Sequence, residues 1–262
     1  AMNLNLSNRN ALVCGSSQGI GKAAAIQLAK MGANVILMAR DKKKLINVLS
    51  CLDKAKEQNH EYICADFSKP ENVKNAVENL TADKNINILI NNTGGPAGGP
   101  IADASTEAFE AAFKMHLVCN QILVQATISG MKKDGFGRIV NIISTSVKIP
   151  IAGLGVSNTI RGAVASWGKT MANELGKFNI TVNNVLPGFT DTNRLKSLIS
   201  AKAKNQKVPE KEIADKMKMQ IPSGRFASAE EVANAIAFLC SPAAAYINGI
   251  NVPVDGGRTG SL

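Results

Sequence analysis

Residues 10–21 read NALVCGSSQGIG. A short run of strand character, NALVC, ends in a glycine, and two more glycines follow within six residues. Residues 19–31 then carry helical apolar spacing at Ile20, Ala24, Leu28 and Met31, with Gly32 as a stop. Such a turn lets backbone N–H groups approach a pyrophosphate, and the helix N-terminus favours its charge. A glycine pattern by itself is weak evidence, because a tight turn with no ligand has the same appearance. What surrounds it decides the matter.

The surroundings alternate strand and helix. VILMA at 35–39, YICAD at 62–66, INILIN at 86–91, RIVNII at 138–143, ITVNNV at 180–185 and a segment near 249–254 read as strands. Leu45, Val48, Leu49 and Leu52 mark a helix, Pro70 opens another, and longer helices are expected over 105–131, 157–176 and 228–240. Near-continuous apolar strands alternating with helices predict an α/β fold. It is a single doubly wound parallel sheet of Rossmann type, about seven strands with helices on both faces, forming one domain over residues 1–262. In such sheets ligands sit outside the carboxyl ends of the strands.

Composition sets further bounds. The chain has 262 residues, 45% hydrophobic and 19% charged, enough to bury a sizeable core. No apolar run approaches the roughly 20 residues of a membrane helix, and AMNLNLSNRN has no signal pattern, so a cytoplasmic protein is expected. Ala1 before Met2 reads as a cloning scar. Cysteines at 14, 51, 64, 119 and 240 are scattered, which predicts reduced, mostly packed thiols and no metal site. The net charge of +10 is partly spread over solvated faces such as DKKKL at 41–45, with no recognition pattern for nucleic acid. It suits a phosphate-rich cofactor.

The strand ends name that cofactor. Gly15, Ser17, Gln18, Gly19 and Ile20 form the first turn. After the second strand, Ala39 stands where a carboxylate would hold a ribose 2′-hydroxyl, and Arg40 follows. That favours NADP(H) over NAD(H), the other reading being a surface arginine capping the next helix. Asp66 after the third strand is positioned for an adenine amine, and Asn92 and Gly94 in NNTGG for a close backbone approach to the cofactor.

Together these segments resemble the short-chain dehydrogenase/reductase family, most closely its 3-oxoacyl-(acyl carrier protein) reductase-like branch. CGSSQGIG resembles TGxxxGxG with Cys14 for threonine, and NNTG resembles NNAG. GRIVNIIS at 137–144 resembles the strand ending in the catalytic serine, and LPGFTDT at 186–192 the segment folding over the nicotinamide. Residues 221–257 resemble the closing segment. The resemblance implies cofactor contacts from Pro187, Gly188, Thr190 and Thr192, a homotetramer or homodimer packed through the long helices, and a helical substrate lid at about 193–222. Thr192 and Arg194 also read as helix-cap residues.

The resemblance fails at the reacting centre. The family uses a tyrosine as proton donor, a lysine beside it, a serine and an asparagine. The serine maps onto Ser144, the tyrosine onto Ser157, the lysine onto Arg161 and the asparagine onto His116. Of the two tyrosines, Tyr62 falls in a strand and Tyr246 in the closing segment, at a position of packing type. Arginine stays charged and cannot relay a proton, but it can bind ribose hydroxyls or polarise an oxygen. Histidine titrates in the useful range, so His116 is a proton source if it points into the cleft beside Ser144, and a helix-packing residue if it does not. Ser157 also reads as a helix N-cap.

Three functions follow. The first is an NADP(H)-dependent carbonyl reductase, on a small-molecule or acyl-thioester substrate, with Ser144, His116, Ser157 and Arg161 as its altered centre. The second is a non-catalytic NADP(H)-binding protein, and the third a reductase of activated double bonds. The basic lid sequence would steer an anionic substrate, or is simply a solvated helix pair.

Overall fold

The computed structural model describes residues 1–261. In chain order the elements are β1 (Asn10–Cys14), α1 (Gly19–Lys30), β2 (Asn34–Ala39), α2 (Lys42–Leu49), β3 (Glu61–Cys64), α3 (Pro70–Asp83), β4 (Ile88–Asn91), α4 (Thr106–Phe113), α5 (Cys119–Lys133), β5 (Gly137–Ile142), α6 (Gly155–Leu175), β6 (Ile180–Pro187), α7 (Asn193–Gln206), α8 (Glu210–Met219), α9 (Ala229–Cys240) and β7 (Asn251–Val254). The strands form one sheet in the order β3-β2-β1-β4-β5-β6-β7, with every pair parallel. This is the doubly wound sheet that the alternation predicts. The order reverses between β1 and β4, which opens a crevice at their carboxyl ends.

Each face of the sheet is covered by helices. Leu28 of α1, Leu45 of α2 and Ile236 of α9 pack on Val13, Leu37 and Ile90 on one side. Val77 of α3, Leu123 of α5 and Ala172 of α6 pack on Leu12, Leu89 and Val182 on the other. Alternate strand residues thus serve opposite layers, which is why the strands read as continuous apolar runs.

The register is pinned by asparagines. Asn91, Asn141, Asn184 and Asn251 lie directly opposite one another across β4, β5, β6 and β7. Each side-chain amide donates to the next, at 2.8, 2.9 and 2.8 Å. A one-residue slip would leave buried amides unpaired, at a cost of about 1–3 kcal/mol each. The ladder sets where β5 ends, and hence where Ser144 stands.

Several boundaries depart from the sequence reading. The helix expected over 105–131 is two helices, α4 and α5, joined by a π turn at Lys114–Val118. Such turns insert one extra residue and are frequent at functional sites. Helix α6 starts at Gly155 with Leu154 at its N-cap, so Ser157 lies inside the first turn and is not the cap. Gly99 and Gly153–Gly155 pair as a short bridge that begins the helix early. Tyr246 is fully exposed in the single chain. Cys14, Cys119 and Cys240 are buried, while Cys51 and Cys64 are exposed. Among the described residues no helix is long and apolar enough to cross a membrane.

Candidate active site

A cavity of about 530 Å³ lies at the carboxyl ends of β1, β4, β5 and β6. Its floor begins at the glycine turn. Gly15 and Gly19 have φ of +59° and +57°, the left-handed region where side chains are strained. Ser16 is fully buried, and its hydroxyl accepts from Met38 N at 3.0 Å, tying the turn to β2. Asn92 Nδ2 donates to the carbonyls of Cys14 and Gly15, at 3.3 Å each, so β4 clamps the turn from the other side. Gly15, Gln18, Gly19 and Ile20 line the cavity, whereas Ser17 stands off its wall. The first turn of α1 has no acidic residue, and Gln18 at the N-cap makes no side-chain capping bond. Its N–H groups are therefore left for an anion, which fits a dinucleotide diphosphate.

Arg40 and Asp66 extend this side. Arg40 is exposed just beyond β2, and it is Asp41, not Arg40, that caps α2 by accepting from Lys44 N at 3.1 Å. Asp66 Oδ1 accepts from Ser68 N and Oγ, at 3.0 and 2.8 Å. Those bonds hold its carboxyl below the usual range, with Arg40 and Lys69 adding to the effect. Neither Arg40 nor Asp66 lines the cavity itself.

The opposite wall carries the positions onto which the resemblance maps the reacting centre. Ser144, Ser157 and Arg161 all line the cavity, with Ser157 and Arg161 one turn apart on α6. Ser144 Oγ accepts from Ser146 N at 3.1 Å, which leaves its proton to donate into the cavity. Arg161 Nη1 donates to the Ile142 carbonyl at 3.0 Å, which holds the guanidinium against the end of β5. Burial, and then the charge of Arg194, lower its pKa to about 10, so it is charged at neutral pH.

His116 does not join them. It sits on the π turn, 2% exposed and off the cavity wall, with Nδ1 2.6 Å from Thr93 Oγ1. Thr93 is the residue that lines the cavity. Of the two readings of His116, a proton source in the cleft or a helix-packing residue, this buried position off the wall is the second. Burial, and then Arg161, lower its pKa to about 3, so it is neutral at pH 7. Because the folded-state value lies below the ordinary 6.5, the unfolded chain takes up this proton first. The stability tied to neutral His116 is fully present above pH 6.5 and is lost as pH falls toward 3. At pH 5 the loss is about 2 kcal/mol. Denaturant unfolding at pH 8 and pH 5 should show this extra loss in the natural chain and not in a His116→Gln variant. Equal losses in both would rule it out.

The remaining wall comes from the segment after β6. Pro187, Gly188, Thr190 and Thr192 line the cavity. Thr190 Oγ1 donates to the Gly188 carbonyl at 3.2 Å. Thr192 caps α7 by accepting from Leu195 N at 3.5 Å, and its hydroxyl donates to the Thr190 carbonyl at 3.3 Å. Gly94 and Gly95 line the cavity too, and a Cβ on Gly94 would meet nothing within 4 Å. Of α7 and α8, where a lid is expected, α7 reaches the cavity through Asn193, Arg194, Leu195, Ser197 and Leu198. Lys216 and Lys218 pair along α8 with Glu212 and Asp215, at 2.7 and 3.7 Å, as on an ordinary solvated face.

A protein-family model described as Enoyl-(Acyl carrier protein) reductase matches residues 15–259. The chain belongs to the short-chain dehydrogenase/reductase family. This short-chain dehydrogenase/reductase is 30% identical over 259 residues to the NADPH-dependent reductase BacG of Bacillus subtilis, covering 98% of this chain and 100% of the relative. It is 32% identical over 255 residues to the 3-oxoacyl-[acyl-carrier-protein] reductase FabG of Vibrio cholerae, covering 97% and 98%. The crystal structure of L-sorbose reductase from Gluconobacter frateurii, complexed with NADPH and L-sorbose, superposes with a TM-score of 0.93 at 30% identity, covering 100% of both chains.

The cavity wall of this short-chain dehydrogenase/reductase carries charge of one sign. Its titratable lining residues are Arg161, Arg194 and Arg258, and no Tyr, Lys, His, Cys, Asp or Glu lines it among the described residues. Arg258, after β7, was not legible as a site residue. The resemblance ends at the glycine pair before it, and no local motif marks it.

Proposed function

We propose that this chain is an NADP(H)-dependent reductase of carbonyl compounds. Ser144 and Arg161 hold the substrate oxygen, and no side chain acts as the proton donor. The observation that carries this reading is the convergence of Ser144, Ser157 and Arg161 on one cavity wall, facing the glycine turn. Gly15, Gln18, Gly19 and Ile20 would hold the diphosphate, with Ser17 beside them. Arg40 would hold the 2′-phosphate and Asp66 the adenine. Asn92, Gly94, Pro187, Gly188, Thr190 and Thr192 would line the nicotinamide end. The cofactor, when bound, supplies the hydride.

The chain's own residues do the rest. Ser144 donates a hydrogen bond to the substrate oxygen. Arg161 places a fixed positive charge where negative charge develops, in a partly desolvated wall where such charges act strongly. Its bond to Ile142 O orients it in advance. Ser157 has a shorter side chain than tyrosine, which leaves room for a water, and that water delivers the proton. His116, through Thr93, positions the wall. The α7–α8 pair forms the lid of the single domain. A cytoplasmic homotetramer or homodimer fits the exposed Phe113, Tyr246 and Ile250, which a second copy would cover.

The test is NADPH oxidation, followed at the nicotinamide absorbance band. The substrates are a panel of 3-oxoacyl thioesters, oxoacids, quinones and simple ketones, with Ser144→Ala as control. Turnover that collapses in the control is expected. Tight NADPH binding with no oxidation by any member would favour a non-catalytic cofactor-binding protein instead.

A further inference from the structure

Two cavities meet at Arg258. The main cavity is lined at one end by the glycine turn, and at the other by Thr145, Ile151 and Arg258. A side chamber of about 180 Å³ shares Thr145, Ile151 and Arg258, and adds Ile149, Pro150, Gln220 and Thr259. The Arg258 guanidinium lies 4.4 Å over the Phe189 ring, which fixes its plane. Its Nε is buried and has no hydrogen-bond partner among the described residues. The nearby Asp255 carboxylate is engaged by Gly257 N and Thr259 N, at 3.0 and 2.8 Å.

Arg161, Arg194 and Arg258 all line the main cavity, and among the described residues none forms an ion pair. Arg161 and Arg194 are satisfied by backbone carbonyls, Ile142 O and Pro96 O, each at 3.0 Å. Arg194 is exposed, but Arg161 and Arg258 are partly buried, and a positive charge there without a carboxylate is a standing cost that an anion removes. The diphosphate belongs at the glycine turn, so it does not answer Arg258 at the opposite end. An unpaired planar donor matches a carboxylate, which accepts two parallel hydrogen bonds from it.

We propose that the substrate is an oxoacid whose carboxylate is held by Arg258 at the mouth of the side chamber, with its carbonyl at Ser144 and Arg161. This inference rests on the reductase reading for the placing of the carbonyl, but the carboxylate site stands on its own geometry.

The test measures binding apart from turnover. Straight-chain oxoacids of four to six carbons, with their methyl esters, are titrated calorimetrically into the NADP⁺-loaded full chain. The same titrations are run on Arg258→Met and Arg258→Lys. At least one acid is expected to bind tenfold or more tightly than its ester. The preference is expected to vanish in Arg258→Met and to survive in part in Arg258→Lys, with NADPH affinity unchanged in both. Esters that bind as well as acids, a preference that survives Arg258→Met, or no binding by any acid would overturn it. Neutral ketones that oxidise NADPH with no gain from a carboxylate would sink this inference and leave the reductase reading standing. Acids that bind through Arg258 without oxidising NADPH would do the reverse.

Discussion

Replacing Arg161 with methionine should lower kcat/KM for reduction by about 10²- to 10³-fold, the range found when one preorganised oxyanion-stabilising donor is removed. The physical reason is the position of the guanidinium. It is fixed by Ile142 O at 3.0 Å and faces the same cavity as Ser144. Methionine keeps the apolar stem and much of the volume, so lost packing contributes little. The fall should lie mainly in kcat, because the charge matters most where negative charge develops on the oxygen. Arg161→Lys restores the charge without the planar fork and should recover only part of the rate. Stopped assays with NADPH in excess, alongside cofactor titration, separate this from lost cofactor binding. A variant that keeps full kcat would remove Arg161 from the chemistry.

The Gly21→Ala substitution should damage both the fold and cofactor binding. A Cβ at Gly21 would stand 2.3 Å from the Gly15 carbonyl oxygen and 2.7 Å from Asn92 Nδ2. Both neighbours belong to the clamp that holds the turn, and the nearer is backbone, so it cannot swing aside. Overpacking of this kind costs about 1–3 kcal/mol, and the melting temperature should fall by roughly 3–10 °C. Relief of the clash moves α1 away from the turn and misaims its N–H groups. NADPH affinity should therefore fall at least tenfold, read by fluorescence of the bound nicotinamide. Gly94→Ala is the matched control, since its Cβ would meet nothing within 4 Å and the fold should be unaffected. Unchanged stability and affinity in Gly21→Ala would contradict the clamp.

The sheet and its glycine turn were legible because their signals are local. NALVCGSSQGIG carries strand, turn and helix start within twelve residues, and the apolar runs behind it fix the alternation. Ser144, Ser157 and Arg161 were also legible, because the strand and helix that carry them follow one another in the chain. Which of the two readings of His116 holds was not. A π turn leaves the apolar spacing of 105–131 almost unchanged, yet it rotates the helix face, and Thr93 comes from another strand end. The start of α6 was missed because Gly99, remote in sequence, supplies the bridge that begins it. Arg258 was invisible for a similar reason. Its meaning arises only when the loop after β7 is brought beside Thr145 after β5, a juxtaposition made by the order of the sheet.

The most direct measurement is the pH profile of kcat/KM for NADPH-dependent reduction between pH 6 and 9. Among the described residues the titratable groups on the cavity wall are arginines, and burial lowers Arg161 only to about 10. His116 is neutral throughout that range, with its pKa lowered to about 3. A reaction run by Ser144, Arg161 and a water-borne proton predicts a profile that is flat over those three units. A limb within that range that disappears in His116→Asn would contradict the account, and would make the histidine behind Thr93 the acid after all.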